Sequence, residues 1–256
     1  MDPPIWPPIH RAARDGDVDA LRRELEANVS PDAVGSTNFT PLVYVVSCAE
    51  RYVKGDTYVK GDTEKRVACI HLLVAAGANL SYTTDRNFTA IWYAARGGNP
   101  TLLAALLDAG SDVNHHDNRR VTPLIDAVYS NSADCTRLLI NAGAAVDARC
   151  GHGRTPLDHC ISQCQRYIRS GDVAASERQR RLYPILLRGG AALPAFHLAY
   201  NTDPYLRKLR AVGGFRQYER VHLNAIVASF APKFSHLLPP ELVRRVVEYA
   251  FHVGDY

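Results

Sequence analysis

The stretch TPLIDAVYSNSADCTRLLINAGAAVD, Thr122–Asp147, decides the fold. Its opening Thr-Pro-Leu stands again at Thr40 and Thr155, and the near-copy Thr-Ala-Ile stands at Thr89. The steps from Thr89 to Thr122 and from Thr122 to Thr155 are both 33 residues, whereas the step from Thr40 to Thr89 is 49 residues. A fixed period with one discrete insertion indicates a repeat array.

Each unit of this array predicts a pair of helices. Thr122 is expected to cap the first helix with its hydroxyl, and Pro123 fits the first helical turn, where its missing N–H costs nothing. The second helix carries leucines at helical spacing, such as Leu138 and Leu139, and Gly143 follows where a left-handed residue ends a helix. Such thin units bury their apolar faces only by stacking on their neighbours.

In length and content these units resemble the ankyrin repeat, in which a hairpin finger accompanies two antiparallel helices. The matching units start at Pro7, Thr40, Thr89, Thr122 and Thr155. The resemblance implies an all-α ankyrin-repeat solenoid, with helix-turn-helix repeats and hairpin fingers, over residues 1–193. A C-terminal helical module, residues 194–256, is expected to cap it.

The array departs from the regular unit in a few places. Inserts near residues 49–64 and 163–177 are expected between the two helices of the second and fifth repeats, and the first insert contains YVKGDT twice in tandem. Arg120 stands where the family usually has a finger glycine, which predicts a distorted third finger. Asp158 replaces the usual helix histidine, so we expect the fifth repeat to lack that internal hydrogen bond.

Composition and cysteine usage favour an intracellular protein, cytoplasmic or nuclear. The 256 residues are 46% apolar and 22% charged. No apolar run approaches the roughly 18 residues of a membrane span, and the start lacks the basic flank and apolar core of a signal peptide. The six cysteines are interpreted as reduced thiols.

The sequence predicts a non-catalytic protein without cofactor or metal. Phosphate-loop, nucleophile-elbow and metalloprotease motifs are absent. The His115–Asp117 run and the set Cys150, His152, His159, Cys160 and Cys164 lack the paired spacing of zinc ligands, and the set is not expected to converge. Basic residues near the C-terminus recur at helical spacing, which is typical of the solvent-exposed face of amphipathic helices. Nucleic acid is therefore not an expected partner.

In ankyrin arrays the fingertips and the exposed face of each first helix usually hold a protein partner. Carried onto this sequence, those positions are Thr37, Phe39, Asp85, Arg86, Phe88, Arg96, Asn118, Arg119, Val121, Tyr129, His152 and Arg154. Aromatic and arginine side chains are frequent interface anchors. The excess of arginine predicts a protein partner with an acidic surface, and the plainer interpretation is a solvated polar edge.

The period fails after Leu193. The string from Leu238 to Leu242, LPPEL, resembles the opening of an F-box, and an array followed by a helical module resembles the substrate receptors of cullin-type ubiquitin ligases in layout. That resemblance implies ligase-adaptor contacts at Leu238, Glu241, Leu242 and Val246. An F-box is longer than the single helix predicted here, so the other interpretation is a terminal cap with a polar outer face.

Overall fold

The computed structural model describes residues 7–35, 38–47, 60–193 and 203–234, together with residues 239, 241, 242 and 245. Within these ranges the regular secondary structure is entirely α-helical, which confirms the predicted fold class.

Four helix pairs form the first part of the chain. They are α1 (Pro8–Asp15) with α2 (Val18–Glu26), α3 (Pro41–Ser47) with α4 (Lys60–Ala75), α5 (Ala90–Gly97) with α6 (Pro100–Asp108), and α7 (Pro123–Tyr129) with α8 (Ala133–Asn141). The first helices stack in order, α1 on α3, α3 on α5 and α5 on α7, and the second helices stack in the same way. A continuous apolar core therefore runs through the repeats, as a solenoid requires.

The helix ends follow the sequence with one exception. Gly110 and Gly143 take left-handed backbones, with φ of 93° and 89°, just beyond α6 and α8, as predicted. Thr89 and Thr122 stand at the N-caps of α5 and α7, but neither hydroxyl makes a capping hydrogen bond, so the predicted role of Thr122 is wrong. Both hydroxyls are buried instead.

Side chains cap other helices of the array, among them the second helices α6 and α8. The side chain of Asn99 accepts hydrogen bonds from two backbone N–H groups of α6, and Ser132 accepts one from the N–H of Cys135 in α8. Each cap satisfies donors that the first turn of a helix leaves without intrahelical partners.

The extra residues of the fifth repeat are helical. The long helix α9 (Pro156–Ser170) is followed by α10 (Val173–Arg180) and α11 (Leu182–Arg188). The chain divides into two compact units, Met1–Cys160 and Ile161–Tyr256, with the boundary inside α9. Of the insert near residues 49–64, residues 60–64 belong to α4, and residues 49–59 lie outside the described ranges.

The fifth repeat also corrects one expectation. Asp158 accepts hydrogen bonds from the backbone N–H and the hydroxyl of Thr155, at 2.9 and 3.0 Å, and the hydroxyl of Thr155 accepts one from the N–H of Asp158. This reciprocal pair supplies the internal hydrogen bonding that the loss of the usual histidine was expected to remove.

In the second unit, α12 (Pro204–Ala211) and α13 (Phe215–Phe234) follow α11. The buried carboxylate of Asp203 caps α12 and pairs with Arg180 of α10 at 3.3 Å. Arg188 of α11 pairs with Glu219 of α13 at 2.7 Å. No helix in the described part of the chain is long and apolar enough to cross a membrane.

Candidate partner-binding surface

Four hairpin tips stand between consecutive repeats, at residues 84–88, 117–121 and 150–154 and, for the first tip, at Gly35, Asn38 and Phe39, the described residues of 35–39. In each tip the N–H of the first residue donates to the carbonyl of the fifth, and the N–H of the fourth donates to the carbonyl of the first. The fourth residue always takes a left-handed backbone, with φ of 55°, 62°, 58° and 71° at Asn38, Asn87, Arg120 and Gly153. We call these four tips the finger row.

The third tip is not distorted, contrary to the expectation for Arg120. Its two closing hydrogen bonds measure 3.0 and 2.9 Å, like those of its neighbours. The Asp117 carboxylate, only 2% exposed, accepts the backbone N–H groups of Arg119 and Val121 at 2.8 and 2.7 Å. These bonds hold the turn in place although arginine is a poor residue for a left-handed backbone.

Hydrogen bonds also join neighbouring tips. The N–H of Gly151 donates to the carbonyl of Arg119 at 2.7 Å, and the N–H of Asn118 donates to the carbonyl of Arg86 at 3.4 Å. The side-chain amide of Asn38 donates to the carboxylate of Asp85. A Cβ at position 151 would lie 3.1 Å from the Arg119 carbonyl oxygen, so this close approach favours glycine. The finger row therefore has a fixed register.

The structure places most of the predicted binding residues on the surface. Exposed side chains belong to Asp85, Arg86, Arg96, Asn118, Arg119, His152 and Arg154, and half-buried ones to Phe39, Val121 and Tyr129. Phe88 is only 9% exposed, because its ring stacks on Trp92 with centroids 3.6 Å apart. Phe88 thus supports the surface from beneath. Thr37 lies outside the described residues.

The arginines of the finger row are largely unpaired. Arg86, Arg120 and Arg154 form no ion pair with any described residue. Arg119 lies 3.4 Å from Asp117 and remains 70% exposed. Exposed guanidinium groups without a carboxylate partner are available to an incoming anion.

Beside the tips, Arg96 and Tyr129 form a second feature of the surface. An Arg96 Nη1 lies 2.9 Å from Asp126 Oδ1, with Arg96 49% exposed and Asp126 only 1% exposed. The same guanidinium lies over the Tyr129 ring, 5.7 Å from its centroid. Burial raises the pKa of Asp126 to about 6, against the opposing effects of its hydrogen bond to Arg96 and the Arg96 charge. The sequence analysis missed Asp126.

Tyr129 continues into a buried polar chain. Its hydroxyl lies 2.7 Å from His159 Nδ1, and His159 Nε2 lies 3.4 Å from the Cys150 sulfur. Burial, together with the charge of Arg154, lowers the pKa of His159 to about 4, so the imidazole is neutral at pH 7. Cys150 and His159 were not expected to converge, and they do. The described residues hold no group of three or more metal-ligating side chains.

Only part of the predicted adaptor site is described. Glu241 and Leu242 are exposed, Leu242 by 43%, and the N–H of Leu242 donates to the carbonyl of Pro239 at 3.0 Å. Leu238 and Val246 lie outside the described residues.

Comparison with known proteins agrees with this architecture. A family model described as ankyrin repeats (3 copies) matches residues 62–150 and 91–170. Neurogenic locus notch homolog protein 1 of Homo sapiens is 35% identical over 160 residues, which cover 59% of this chain and 6% of that protein. Neurogenic locus Notch protein of Drosophila melanogaster is 30% identical over 155 residues, covering 60% of this chain and 5% of that protein.

A plant protein is also similar. The putative E3 ubiquitin-protein ligase XBAT31 of Arabidopsis thaliana is 28% identical over 153 residues, covering 55% of this chain and 30% of that protein. The chain therefore spans less than a third of the length of each relative named here. The stacked helix pairs, the closed hairpin tips and the family match show that this chain contains ankyrin repeats, which are protein-interaction modules.

Proposed function

We propose that the finger row, with Arg96 and Tyr129 beside it, binds an acidic segment of a protein partner. The observation that carries this proposal is the succession of exposed, largely unpaired arginines on neighbouring tips, which hydrogen bonds between the tips hold in a fixed order. Because these bonds fix the backbone positions from which the arginines extend, the order of positive charge along the row is set, and a partner with matching acidic residues is favoured.

The acids near these arginines leave the surface positive. Asp117 is buried and accepts backbone hydrogen bonds, and Asp126 is buried beneath Arg96. In the four tips, Asp85 is the one exposed acid, and it accepts a hydrogen bond from Asn38. An acidic partner would therefore meet more exposed positive than negative charge.

Arg96 and Tyr129 suit the centre of such an interface. The buried carboxylate of Asp126 fixes one edge of the Arg96 guanidinium, and the Tyr129 ring supports its face. An arginine held in this way offers its remaining N–H groups to a partner carboxylate at a small entropic cost. Both residue types are common among the side chains that dominate interface energies.

A display selection tests this proposal with the full chain as bait. Random 12-residue peptides are selected on the wild-type protein, and the recovered peptides are titrated against the Arg119→Gln/Arg154→Gln variant. We expect acidic peptides whose affinity falls about tenfold in this variant and weakens with salt. The control variant Arg22→Gln/Arg23→Gln removes two exposed arginines from α2 and is expected to bind normally.

Selection of neutral or basic peptides, or equal loss of binding in both double variants, would contradict the proposal. Circular dichroism and urea unfolding of each variant check that the repeats stay folded. Since the substituted side chains are exposed, we expect changes in unfolding free energy within about 0.5 kcal/mol.

A second candidate function is substrate recognition within a ubiquitin ligase. Two observations favour it: Leu242 is an exposed large apolar side chain within the LPPEL string, and a similar plant protein is named as a putative E3 ligase. This function predicts that the full chain binds a purified F-box-class ligase adaptor and that Leu242→Asp abolishes binding. The control Val221→Asp changes an equally exposed apolar residue of α13. Absence of adaptor binding by the wild-type chain would exclude F-box-type recruitment.

A further inference from the structure

The four tips differ in charge in a regular order along the array. The first, GSTNF at 35–39, has no charged residue, and the second, TDRNF at 84–88, has one of each sign. The third, DNRRV at 117–121, has two exposed arginines over the buried Asp117. The fourth, CGHGR at 150–154, has Arg154 and His152, with Arg149 directly before it. Positive charge therefore accumulates toward one end of the finger row.

The first tip has apolar and aromatic side chains around it, and the carboxylate of Asp85 in the second tip accepts a hydrogen bond from the Asn38 amide at its edge. The half-buried ring of Phe39 packs against Tyr44 and Tyr93, with centroids 5.3 and 5.7 Å away. Val34, directly before the first tip, is 51% exposed. The nearest acid in the sequence, Asp32, accepts the backbone N–H of Asn79 at 2.9 Å. This end thus presents two accessible apolar side chains, Val34 and Phe39.

The distance between neighbouring tips determines how many residues of a bound peptide separate the side chains that contact them. Packed helices of neighbouring repeats lie roughly 8–10 Å apart. An extended chain advances about 3.3 Å per residue, so about three residues of a bound strand span one repeat. The third tip is then about six residues, and the fourth about nine residues, from the first.

We propose that the partner segment is an extended peptide with a bulky apolar residue at the first tip and acidic residues about six and nine positions along the chain from it. The apolar residue lies against Val34 and Phe39, and the acidic residues pair with the arginines of the third and fourth tips. This inference rests on the proposed function and adds the order and spacing of the recognised residues.

Fluorescence anisotropy with labelled 12-residue peptides tests the spacing on the full chain. One peptide has leucine followed by glutamate at the sixth and ninth positions after it, with serine and alanine elsewhere, and a second has the reverse chain order. A third has the same composition with both glutamates within four residues of the leucine. We expect one of the two spaced peptides to bind at least tenfold more tightly than the compact one.

Paired substitutions then locate the contacts. Arg154→Gln should weaken the tighter spaced peptide about fivefold, and it should have no effect when the glutamate nine positions away is replaced by serine. Val34→Ser should weaken binding only while the peptide keeps its leucine. The control Val173→Ser alters a 65% exposed valine far along the sequence and is expected to change nothing.

The outcomes separate this inference from the proposed function. If the compact and spaced peptides bind equally and both lose affinity in Arg119→Gln/Arg154→Gln, the spacing is wrong while acidic recognition by the tips stands. If neither these peptides nor the display selection yields an acidic ligand of a correctly folded chain, both proposals fail.

Discussion

At the scale of single residues, one residue of the finger row has an unfavourable backbone conformation, and hydrogen bonds to a nearby carboxylate offset its cost. Arg120 takes φ of 58°, a left-handed conformation that costs a residue with a Cβ about 1 kcal/mol. Asp117 offsets this cost by binding two N–H groups of the same turn. The left-handed asparagines were foreseeable from residue type, whereas the regular geometry at Arg120 depends on this local hydrogen bonding.

Replacement of Arg120 by glycine should therefore stabilise the chain. We expect Arg120→Gly to raise the free energy of unfolding by about 0.5–1 kcal/mol, because glycine adopts this backbone without a steric cost. Urea unfolding measures the change. The matched control, Arg119→Gly, alters a neighbour outside the left-handed region and should lower stability. A destabilised Arg120→Gly would show that the side chain of Arg120 contributes more than its backbone costs.

Asp126 and His159 are expected to change the free energy of unfolding in opposite directions as the pH falls. The pKa of Asp126 is raised to about 6 in the folded state, so its contribution to stability increases as the pH falls from 7 toward 4. The pKa of His159 is lowered to about 4, so its contribution is lost as the pH falls from about 6.5 through 4. Each effect is about 3 kcal/mol by linkage, and the two largely cancel in the wild type.

Single substitutions should reveal the two effects separately. On acidification from pH 7 to pH 4, the unfolding free energy of the wild type should rise relative to Asp126→Asn and fall relative to His159→Gln. Urea unfolding across this pH range measures both differences. Parallel pH profiles for all three proteins would contradict the assigned protonation states.

At the scale of elements, the local sequence predicts helix ends and turns, but it does not predict contacts between residues far apart in the chain. The left-handed glycines after α6 and α8 could be predicted because each requirement is confined to a few neighbouring residues. The burial of Phe88 beneath the finger row could not be predicted from the sequence. Alignment with a repeat gives the position of Phe88 along the chain, but it does not show that its ring stacks on Trp92.

Arg66 is a clear case of a long-range contact. It is only 6% exposed, and its guanidinium donates to the carbonyls of Val45 and Arg14 at 2.6 and 3.0 Å, near the C-terminal ends of α3 and α1. A guanidinium at this place donates to carbonyls near the C-terminal ends of two helices and complements the helix dipoles. The contacts join residues 21 and 52 positions apart, so no local pattern reveals them.

We expect Arg66→Met to destabilise the chain by about 3 kcal/mol, since two carbonyls lose a charged donor. Lysine at this position should recover part of the loss, because it keeps the charge without the forked geometry. Urea unfolding provides the measurement, and Lys65→Met, at an exposed neighbouring site, should change stability by less than about 0.5 kcal/mol. An equal effect of Arg66→Met and Lys65→Met would contradict the role of Arg66.

At the scale of the whole molecule, the distribution of charge between the two ends of the sequence does not locate the proposed binding surface. Residues 1–50 hold 4 basic and 8 acidic side chains, and residues 151–256 hold 15 basic and 8 acidic ones. The arginines of the finger row nevertheless lie within the first compact unit, Met1–Cys160. Their alignment arises from the 33-residue period, which brings residues far apart in sequence onto adjacent tips.

Hydrogen–deuterium exchange of the full chain with and without the tightest acidic peptide from the display selection tests the central claim most directly. Binding to the finger row should slow amide exchange at residues 84–88, 117–121 and 150–154 and leave the second helices α2, α6 and α8 unchanged. Slowed exchange confined to the second helices, or to residues 203–234, with unchanged tips would contradict the account.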